Sequence, residues 1–471
     1  MSIFIKFIAE RFIKKIAKKA KAALLQIPFY RKKLKKNGIS FYEVRRINSI
    51  ERLTAFLNKY KEVTWISEHE LLLMSDTYGL QLSRVPQQER VWVQASSGYN
   101  LSKIIENGNF RVITRKRIAY TKGDLLRACK LFEMLSDIFP KQTPTIAIFG
   151  RLGDLCGSGT YPFLVLSGNY LKFKCRTLYF GIPQNEVQAL QWLKEISDLK
   201  IDGIIGIPST LDLLTKIAKE HGLFFEKLKL VGSGGDKIHK GVINSLIELG
   251  ANIITVGYGA QEVAPLSTVA IGVPYSELKE LPATQGLRVL GNLCFVRITD
   301  KRGESVDQGE EGYIRITTPF DGTTLIDYNI NDIGRLISHE YSIYYKGKSV
   351  NVPFPLLDYR ISRAQEHAFS VQARIVYTRD LQEVCNLVAG YNYLLGSDNE
   401  RLYIFITTNH DPEFLLVRLK HALPHEIFKN VEVIQVPEHI LHRYLYPANH
   451  YKPHNILDQK QLTDILRKIC K

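Results

Sequence analysis

The chain has 471 residues, of which 45% are hydrophobic and 23% charged, and its formal net charge is +16 at pH 7. This composition excludes a disordered chain and is typical of a globular protein with room for one large and one small domain. No apolar run reaches the roughly 20 residues of a membrane-spanning helix, and basic residues interrupt every candidate signal-peptide core. The six cysteines show no CxxC and no metal-ligand spacing, which predicts a reducing, cytoplasmic location without structural zinc.

Residues 1–24 alternate apolar and basic positions at helical spacing and predict a basic amphipathic helix. Such a helix either packs against the main domain or makes peripheral contact with an anionic membrane surface. The net charge favours polyanionic partners such as nucleotides, CoA or an acidic carrier protein, although lysine-rich surfaces also serve solubility alone. Nucleic acid is disfavoured, because the basic N-terminus lacks interleaved aromatic residues at phosphate-tracking spacing.

The middle of the chain alternates strands with helices. A helix is predicted at residues 49–57, a strand at 90–95 that ends in a small-residue turn, and a helix from Thr121 onward. Between residues 145 and 256, apolar strands alternate with amphipathic helices, which predicts a mostly parallel sheet covered on both faces. Short β-segments follow and predict a small barrel-like subdomain; they lie at residues 294–298, 313–317 and 324–328.

The strand at residues 253–256 runs into the sequence Gly-Tyr-Gly-Ala-Gln-Glu at 257–262. A tyrosine face can stack on a purine, and a carboxylate can hold the Mg²⁺ that accompanies a triphosphate. Because a strand that ends in a glycine turn occurs in most α/β proteins, this segment alone is equally typical of an ordinary turn.

Three neighbouring segments make the pattern more specific. The strand and glycine turn at 228–236 precede it, and the segments at 309–316 and 325–332 follow it. In this order and spacing, the four segments resemble the adenylate-forming enzyme superfamily and, within it, the phenylacetate-CoA ligase-like branch. The resemblance covers residues 25–380. It implies an α/β fold with mostly parallel sheets and a small β-barrel-like subdomain in a large AMP-binding domain, residues 1–357. A hinge at 358–366 and a mobile α+β lid at 367–471 would follow.

The resemblance also assigns roles to individual residues. Glu262 would be the Mg²⁺ ligand, Tyr258 would stack on adenine and Asp332 would accept hydrogen bonds from the ribose hydroxyls. Lys452 would bridge the carboxylate and the α-phosphate. Further nucleotide-binding positions are Ser96, Ser97, Gly98, Lys103, Gly234, Gly235, Asp236, Gly259 and Arg363. The acyl-substrate pocket would include Phe149, Gly157, Gly159 and Gly257.

The implied activity is ATP- and Mg²⁺-dependent activation of an aromatic or small-to-medium carboxylic acid as an acyl-adenylate, followed by transfer to a thiol, with CoA as the default. Two alternatives stay open: transfer to a carrier protein, an amine or another nitrogen nucleophile, or a catalytically degenerate fold that only binds. Three departures from the family pattern favour the last alternative. They are the missing Thr-Thr-Gly of the phosphate loop after Gly98, the sequence Tyr-Asn-Ile-Asn-Asp at 328–332, and the absence of glycine before Lys452. The branch's Cys/His zinc ligands are absent at 266–269 and 286–289, so we expect no zinc. We also expect a homodimer.

Overall fold

The structure is a computed structural model and describes residues 2–74, 82–85, 90–95, 102–106, 109–113, 116–129, 143–150, 175–183, 185–225, 228–235, 238–260, 267–272, 287–289, 293–345, 348–358, 361–446 and 454–469. The described helices are α1 (Ser2–Gln26), α2 (Pro28–Lys36), α3 (Phe41–Arg45), α4 (Ile50–Lys59), α5 (Glu68–Met74), α6 (Lys122–Cys129), α7 (Glu186–Asp198), α8 (Pro208–Glu220), α9 (Lys240–Glu248), α10 (Thr378–Ala389), α11 (Pro412–Ala422), α12 (His425–Phe428), α13 (Glu438–Leu445) and α14 (Gln459–Ile469).

The described strands are β1 (Arg90–Ala95), β2 (Ser102–Glu106), β3 (Asn109–Ile113), β4 (Arg117–Thr121), β5 (Thr145–Phe149), β6 (Arg176–Tyr179), β7 (Gly203–Gly206), β8 (Leu230–Gly234), β9 (Ile253–Tyr258), β10 (Ser267–Gly272), β11 (Leu287–Val289), β12 (Phe295–Thr299), β13 (Glu311–Thr317), β14 (Tyr328–Ser338), β15 (Tyr341–Tyr345), β16 (Lys348–Val352), β17 (Leu356–Leu357), β18 (Ser362–Arg363), β19 (Ala368–Val371), β20 (Arg374–Tyr377), β21 (Tyr393–Ser397), β22 (Leu402–Thr407) and β23 (Val431–Val436).

One large sheet organises the N-terminal domain. Strands β6, β5, β7, β8 and β9 pair in parallel, in that order, and the sheet then continues through β10, β11, β17, β14, β13 and β12 as antiparallel neighbours. The parallel strands are short and rich in β-branched residues, as strands covered on both faces require. Helices α7, α8 and α9 connect them. The mostly parallel sheet predicted for residues 145–256 is therefore confirmed, and the β-segments predicted at 294–298 and 313–317 form part of the antiparallel half of the same sheet.

The N-terminal helix packs on the large domain over its second half. Its small and apolar residues Ala17, Ala20, Ala23 and Leu24 are fully buried in the main core. Those residues recur at three- and four-residue intervals and so form one face of the helix. The sequence allowed two arrangements, packing on the main domain or contact with a membrane surface, and this half of α1 shows the packed one. No helix among the described residues is long and apolar enough to cross a membrane.

The C-terminal domain has its own core. Strands β21, β22 and β23 form a three-stranded sheet, with β21 antiparallel and β23 parallel to β22. Its apolar residues form clusters separate from the main core, from Val371 onward. The chain therefore has a large N-terminal and a small C-terminal domain, and residues 358–366 remain our predicted hinge between them.

One predicted strand is wrong. Residues 324–327 are irregular, and the strand begins only at Tyr328. Threonine side chains take the place of a sheet partner here: the backbone N–H of Leu325 donates to Thr318 Oγ1 at 2.9 Å and that of Asp327 to Thr317 Oγ1 at 3.0 Å. Local side-chain hydrogen bonds of this kind offer the backbone an alternative to a β-ladder.

Candidate functional site

Three of the predicted nucleotide-binding residues lie together. The Tyr258 hydroxyl donates a hydrogen bond to Asp332 Oδ2 at 2.5 Å, and Arg363 Nη1 lies 3.1 Å from Asp332 Oδ1. Asp332 is only 6% exposed, whereas the Arg363 side chain is 63% exposed. A buried carboxylate therefore sits between a phenol and a guanidinium that reaches solvent. We call these three residues the Tyr258–Asp332–Arg363 cluster.

The backbone explains why these distant residues converge. Tyr258 is the last residue of β9, where the parallel part of the sheet ends, and Asp332 lies inside β14 of the antiparallel part. Asp332 is the register partner of Arg363 on β18. The residue before it, Asn331, has a φ of +60°, a left-handed conformation that asparagine tolerates better than most residues. The cluster thus lies where the two halves of the sheet and the start of the predicted hinge come together.

Side chains from the N-terminal region support the strand that carries Asp332. Asn331 Nδ2 donates to Glu68 Oε2 at 3.2 Å, and Lys116 Nζ lies 3.1 Å from Glu68 Oε1. The same ammonium donates to the Tyr328 hydroxyl at 3.2 Å. Sequence analysis did not find Glu68 or Lys116, because each is separated from β14 by more than two hundred residues and carries no local motif.

Glycines let two backbones approach beside the cluster. Gly234 on β8 and Gly257 on β9 are register partners, and a Cβ on Gly234 would lie 2.9 Å from the Gly257 carbonyl oxygen. Gly235 follows with a φ of +85°. A side chain at Gly234 would therefore displace the neighbouring strand. Both glycines expose backbone at the end of the strands, which is where α/β sheets bind ligands.

A buried hydroxyl adds a polar group that the sequence analysis treated only as part of the glycine turn. Ser233 is 6% exposed, and its Oγ has no hydrogen-bond partner among the described residues. A buried hydroxyl without a partner is costly, so such a group suits a polar ligand. The signal was present in the sequence as a serine between glycines at a strand end, although that pattern alone is weak.

Several predicted site residues are not tested by the structure. Phosphate-loop, metal, acyl-pocket and lysine positions lie outside the described residues, namely Ser96, Ser97, Gly98, Gly157, Gly159, Asp236, Glu262 and Lys452. Lys103 lies in the hairpin strand β2, opposite Val112. Gly259 directly follows β9 and is exposed. The structure's described part contains no group of three or more His, Cys, Asp or Glu side chains that could hold a metal ion.

Phe149, predicted to line the acyl pocket, packs in the core. Its ring stacks on Phe180 with centroids 5.2 Å apart and lies 6.1 Å from the Trp192 ring, and the residue is 1% exposed. The Phe149 ring therefore contributes to the packing of strand β5 against helix α7. A direct contact between Phe149 and an acyl group stays a prediction.

Comparison with known proteins agrees with this fold. Residues 176–324 match the family of AMP-binding enzymes, a segment that includes Tyr258 and ends just before Asp332. No protein of curated function matches the sequence. The architecture, a parallel sheet with a curled antiparallel extension and a small C-terminal domain, is that of the adenylate-forming superfamily. The resemblance to that superfamily is therefore confirmed.

Solved structures with this fold include ligases and a synthetase. The chain is similar to a 2-hydroxyisobutyryl-CoA ligase in its post-adenylation state, with a TM-score of 0.70 and 13% identity over 98% of this chain and 91% of that one. The same ligase in its thioesterification state gives a TM-score of 0.57 and 14% identity over 99% and 92% of the two chains. An amide bond synthetase, McbA from Marinactinospora thermotolerans, gives 0.50 and 16% over 75% and 66%.

Proposed function

We propose that the protein activates a carboxylic acid with ATP and Mg²⁺ as an acyl-adenylate and then transfers the acyl group to a thiol, with CoA as the default acceptor. The observation that supports the proposal most directly is the Tyr258–Asp332–Arg363 cluster, which lies where β9 ends and β14 pairs with β18. Its three residues were selected from sequence for nucleotide binding, and two of them form a hydrogen bond across two separate strands. The match of residues 176–324 to AMP-binding enzymes supports the same reading.

In the first step, a carboxylate oxygen of the acid attacks the α-phosphorus of ATP, and the bond to pyrophosphate breaks. Asp332 would accept hydrogen bonds from the ribose hydroxyls, because one carboxylate can accept from two O–H donors at once. The Tyr258 ring would lie against the adenine, and Arg363 would stay beside the ribose or phosphate. These contacts hold the α-phosphorus in place for attack, which is how orientation lowers the barrier.

The phenol and the guanidinium occupy the carboxylate of Asp332 in the structure, so a nucleotide has to displace or share them. Arg363 can yield, because its side chain is largely exposed. The Tyr258 ring packs against the main core, so only its hydroxyl contact would be exchanged or shared. When Asp332 replaces a hydrogen bond from Tyr258 or Arg363 by one from a ribose hydroxyl, the number of hydrogen bonds stays the same. The net gain in binding free energy is therefore small. We therefore expect these residues to set nucleotide affinity as a group.

Four further assignments belong to this proposal as predictions. The metal would be held by Glu262, the phosphates by the loop at residues 96–98 with Lys103, and the reacting carboxylate by Lys452. Magnesium on the triphosphate supplies neutralisation of phosphate charge. The acyl pocket would be formed beside Gly157, Gly159 and Gly257, with a homodimer as the expected assembly.

In the second step, a nucleophile attacks the acyl carbon and AMP leaves with the bonding electron pair of the C–O bond. A thiolate of CoA or of a carrier protein gives a thioester, and an amine gives an amide. The fold similarity to an amide bond synthetase favours keeping the amine as a second candidate. The basic surface suits CoA and an acidic carrier protein equally.

A pyrophosphate-exchange assay with ATP, Mg²⁺ and a panel of carboxylic acids tests the first step. We expect exchange with at least one aromatic or small-to-medium acid, and thioester formation when CoA is added. The variant Asp332→Asn should lose exchange, whereas Asp198→Asn, at the exposed end of α7, should retain it. Specific ATP binding without exchange for any acid would favour the binding-module alternative and overturn the proposal.

A further inference from the structure

One carboxylate joins the two domains. Glu311, the first residue of β13 in the large domain, is the register partner of Arg335 on β14 and accepts a hydrogen bond from Arg335 Nη2 at 3.0 Å. Glu311 Oε1 also forms an ion pair with Arg379, in the first turn of α10 in the small domain. Glu311 Oε2 lies 3.3 Å from His367 Nε2, just beyond the predicted hinge. Two of its three partners therefore belong to the chain that follows the hinge.

These groups are largely sheltered from solvent, so salt screens their ion pairs less than it screens surface pairs. The side chains of Glu311, Arg379 and His367 are 22%, 11% and 16% exposed. Burial opposes ionisation of Glu311, but the hydrogen bonds from Arg379 and Arg335 and the charges of Arg379 and His367 outweigh it. They hold the pKa of Glu311 below its ordinary value. The carboxylate is thus charged when the domains are in contact.

The hinge-side partners are themselves fixed in place. Ser362 Oγ and His367 Nδ1 are 2.6 Å apart, which orients the imidazole ring toward Glu311. The backbone N–H of Thr378 donates to the His367 carbonyl at 3.1 Å, so the start of α10 is tied to the residue that leaves the hinge. His367 is therefore linked to the start of α10 through its carbonyl, and to β14 of the large domain through Ser362, the register partner of Ile333.

The rest of α10 lies against the large domain. Glu383 Oε2 is 3.6 Å from His239 Nδ1, and the Tyr391 ring is 5.2 Å from the His239 ring. Tyr391 is 5% exposed and packs within the main core. The orientation of the small domain is therefore defined by an ionic contact near the hinge and an apolar contact at the far end of α10.

This orientation corresponds to one state of a structural neighbour. The whole chain superposes better on 2-hydroxyisobutyryl-CoA ligase in its post-adenylation state than in its thioesterification state, with TM-scores of 0.70 and 0.57. The two comparisons cover nearly the same share of this chain, 98% and 99%. At nearly equal coverage, the higher TM-score places this structure nearer the post-adenylation state of that ligase.

We propose that Glu311 is a positioning residue, which holds the small domain in the post-adenylation-like orientation through Arg379 and His367 and must release both before acyl transfer. The proposal rests on the proposed function for its kinetic consequence, but its structural part does not. Removing the charge of Glu311 should shift the domain equilibrium away from the observed orientation. Adenylation should then slow, and transfer from preformed acyl-adenylate should not.

The structural part can be measured without activity. Spin labels at exposed Lys194 on α7 and Lys420 on α11, in a background without solvent-reactive cysteines, report the distance between domains by double electron–electron resonance. We expect one dominant distance in the parent and a second, substantial population in Glu311→Gln and in Arg379→Gln. The matched control is Glu426→Gln, which removes the exposed pair with Arg374 inside the small domain and should leave the distribution unchanged. An unchanged distribution in Glu311→Gln, with native thermal stability, overturns the proposal.

The kinetic part uses single-turnover assays with an acid that supports pyrophosphate exchange. Glu311→Gln should slow acyl-adenylate formation about tenfold while transfer to the acceptor keeps its rate or rises. The double variant with Arg379→Gln should match the single variants rather than multiply their effects, because one contact is removed in each. Equal slowing of both half-reactions would indicate a merely structural role for Glu311 and would overturn the proposal. Absence of exchange with every acid defeats the proposed function and leaves the distance measurement as the test of Glu311.

Discussion

Two buried aspartates stand five positions apart in the chain and have opposite surroundings. Asp327 is held by Arg297 Nη1 at 2.7 Å and Arg315 Nη1 at 3.2 Å, and all three side chains are nearly or largely buried. Asp332 is held by the phenol of Tyr258 and by the solvent-exposed guanidinium of Arg363. Burial is similar at the two sites, 4% and 6%. What differs is the exposure of the arginine partners: Arg297 and Arg315 are 3% and 12% exposed, and Arg363 is 63% exposed.

The Asp327 site is closed by further contacts. Arg297 also donates to the Gly303 carbonyl at 3.0 Å and to Ser305 Oγ at 3.2 Å. Burial of the guanidinium lowers the pKa of Arg297, and the charge of Asp327 offsets this effect only in part. The lowered pKa reflects the free-energy cost of placing a charged guanidinium in the core. Such a network fixes the packing of β12 and β13. The Asp332 site differs in that one of its partners, Arg363, reaches solvent.

The largest expected effect is on the closed site. Asp327→Ala should lower the free energy of unfolding by about 3–5 kcal/mol, because it leaves the Arg297 guanidinium buried without its counter-charge. Chemical denaturation monitored by circular dichroism gives the value. If Asp327→Ala unfolds at the parental denaturant concentration, the closed site is not structural and the contrast with Asp332 fails.

Asp332→Ala should have the opposite profile. We expect about a 100-fold loss in kcat/KM for pyrophosphate exchange, corresponding to about 2.7 kcal/mol, because the ribose loses a charged acceptor for two hydroxyls. Stability should change far less than in Asp327→Ala, since Arg363 can turn into solvent. A loss of stability equal to that of Asp327→Ala, with residual protein still active, would contradict the distinction between the two aspartates.

Gly234→Ala tests the backbone beside the open site. The added methyl group would press on the Gly257 carbonyl oxygen, so we expect a loss of about 1–3 kcal/mol in unfolding free energy. The control is Gly222→Ala: its Cβ would meet nothing within 4 Å, although its φ of +62° adds a backbone cost of its own. Comparing the two by denaturation separates contact between strands from backbone strain. A smaller loss at Gly234 than at Gly222 would show that β8 can shift away.

Tyr258→Phe should give the smallest effect. It keeps the aromatic face and removes the hydroxyl that a ribose must displace from Asp332 Oδ2. We expect KM for ATP to fall by about two- to fivefold with kcat nearly unchanged, in line with the modest worth of one exchanged hydrogen bond. Initial-rate measurements over a range of ATP concentrations give the KM and kcat of the variant and so test this expectation. A large rise in KM would mean that the hydroxyl itself contacts the nucleotide.

Sequence reasoning located the elements well where periodicity was strong. The N-terminal helix, the strands at 145–149 and 253–256 and the alternation between them follow from local hydrophobic patterns, which the structure reproduces. It failed at residues 324–327, where Thr317 and Thr318 satisfy the backbone. An apolar run there resembles a strand, and nothing local shows that side chains replace the ladder.

The candidate site divides in the same way. Tyr258, Asp332 and Arg363 could be selected because each lies in a motif whose order along the chain is informative. The contacts of Glu68 with Lys116 and Asn331 could not, because they join separate parts of the chain and no local motif marks them. Glu311 is a further case: its partners come from three elements on both sides of the predicted hinge. Long-range partners of this kind depend on topology, which spacing in the sequence does not reveal.

The aromatic ring of Tyr391 affects how freely the C-terminal domain can rotate relative to the large domain. The ring packs among core residues of the large domain. If the C-terminal domain rotates, the ring leaves a cavity in that core and becomes exposed to water. Rotation of the C-terminal domain out of the observed pose therefore exposes apolar surface to water, which costs free energy. The Tyr391 contact accordingly favours the observed pose over rotated ones.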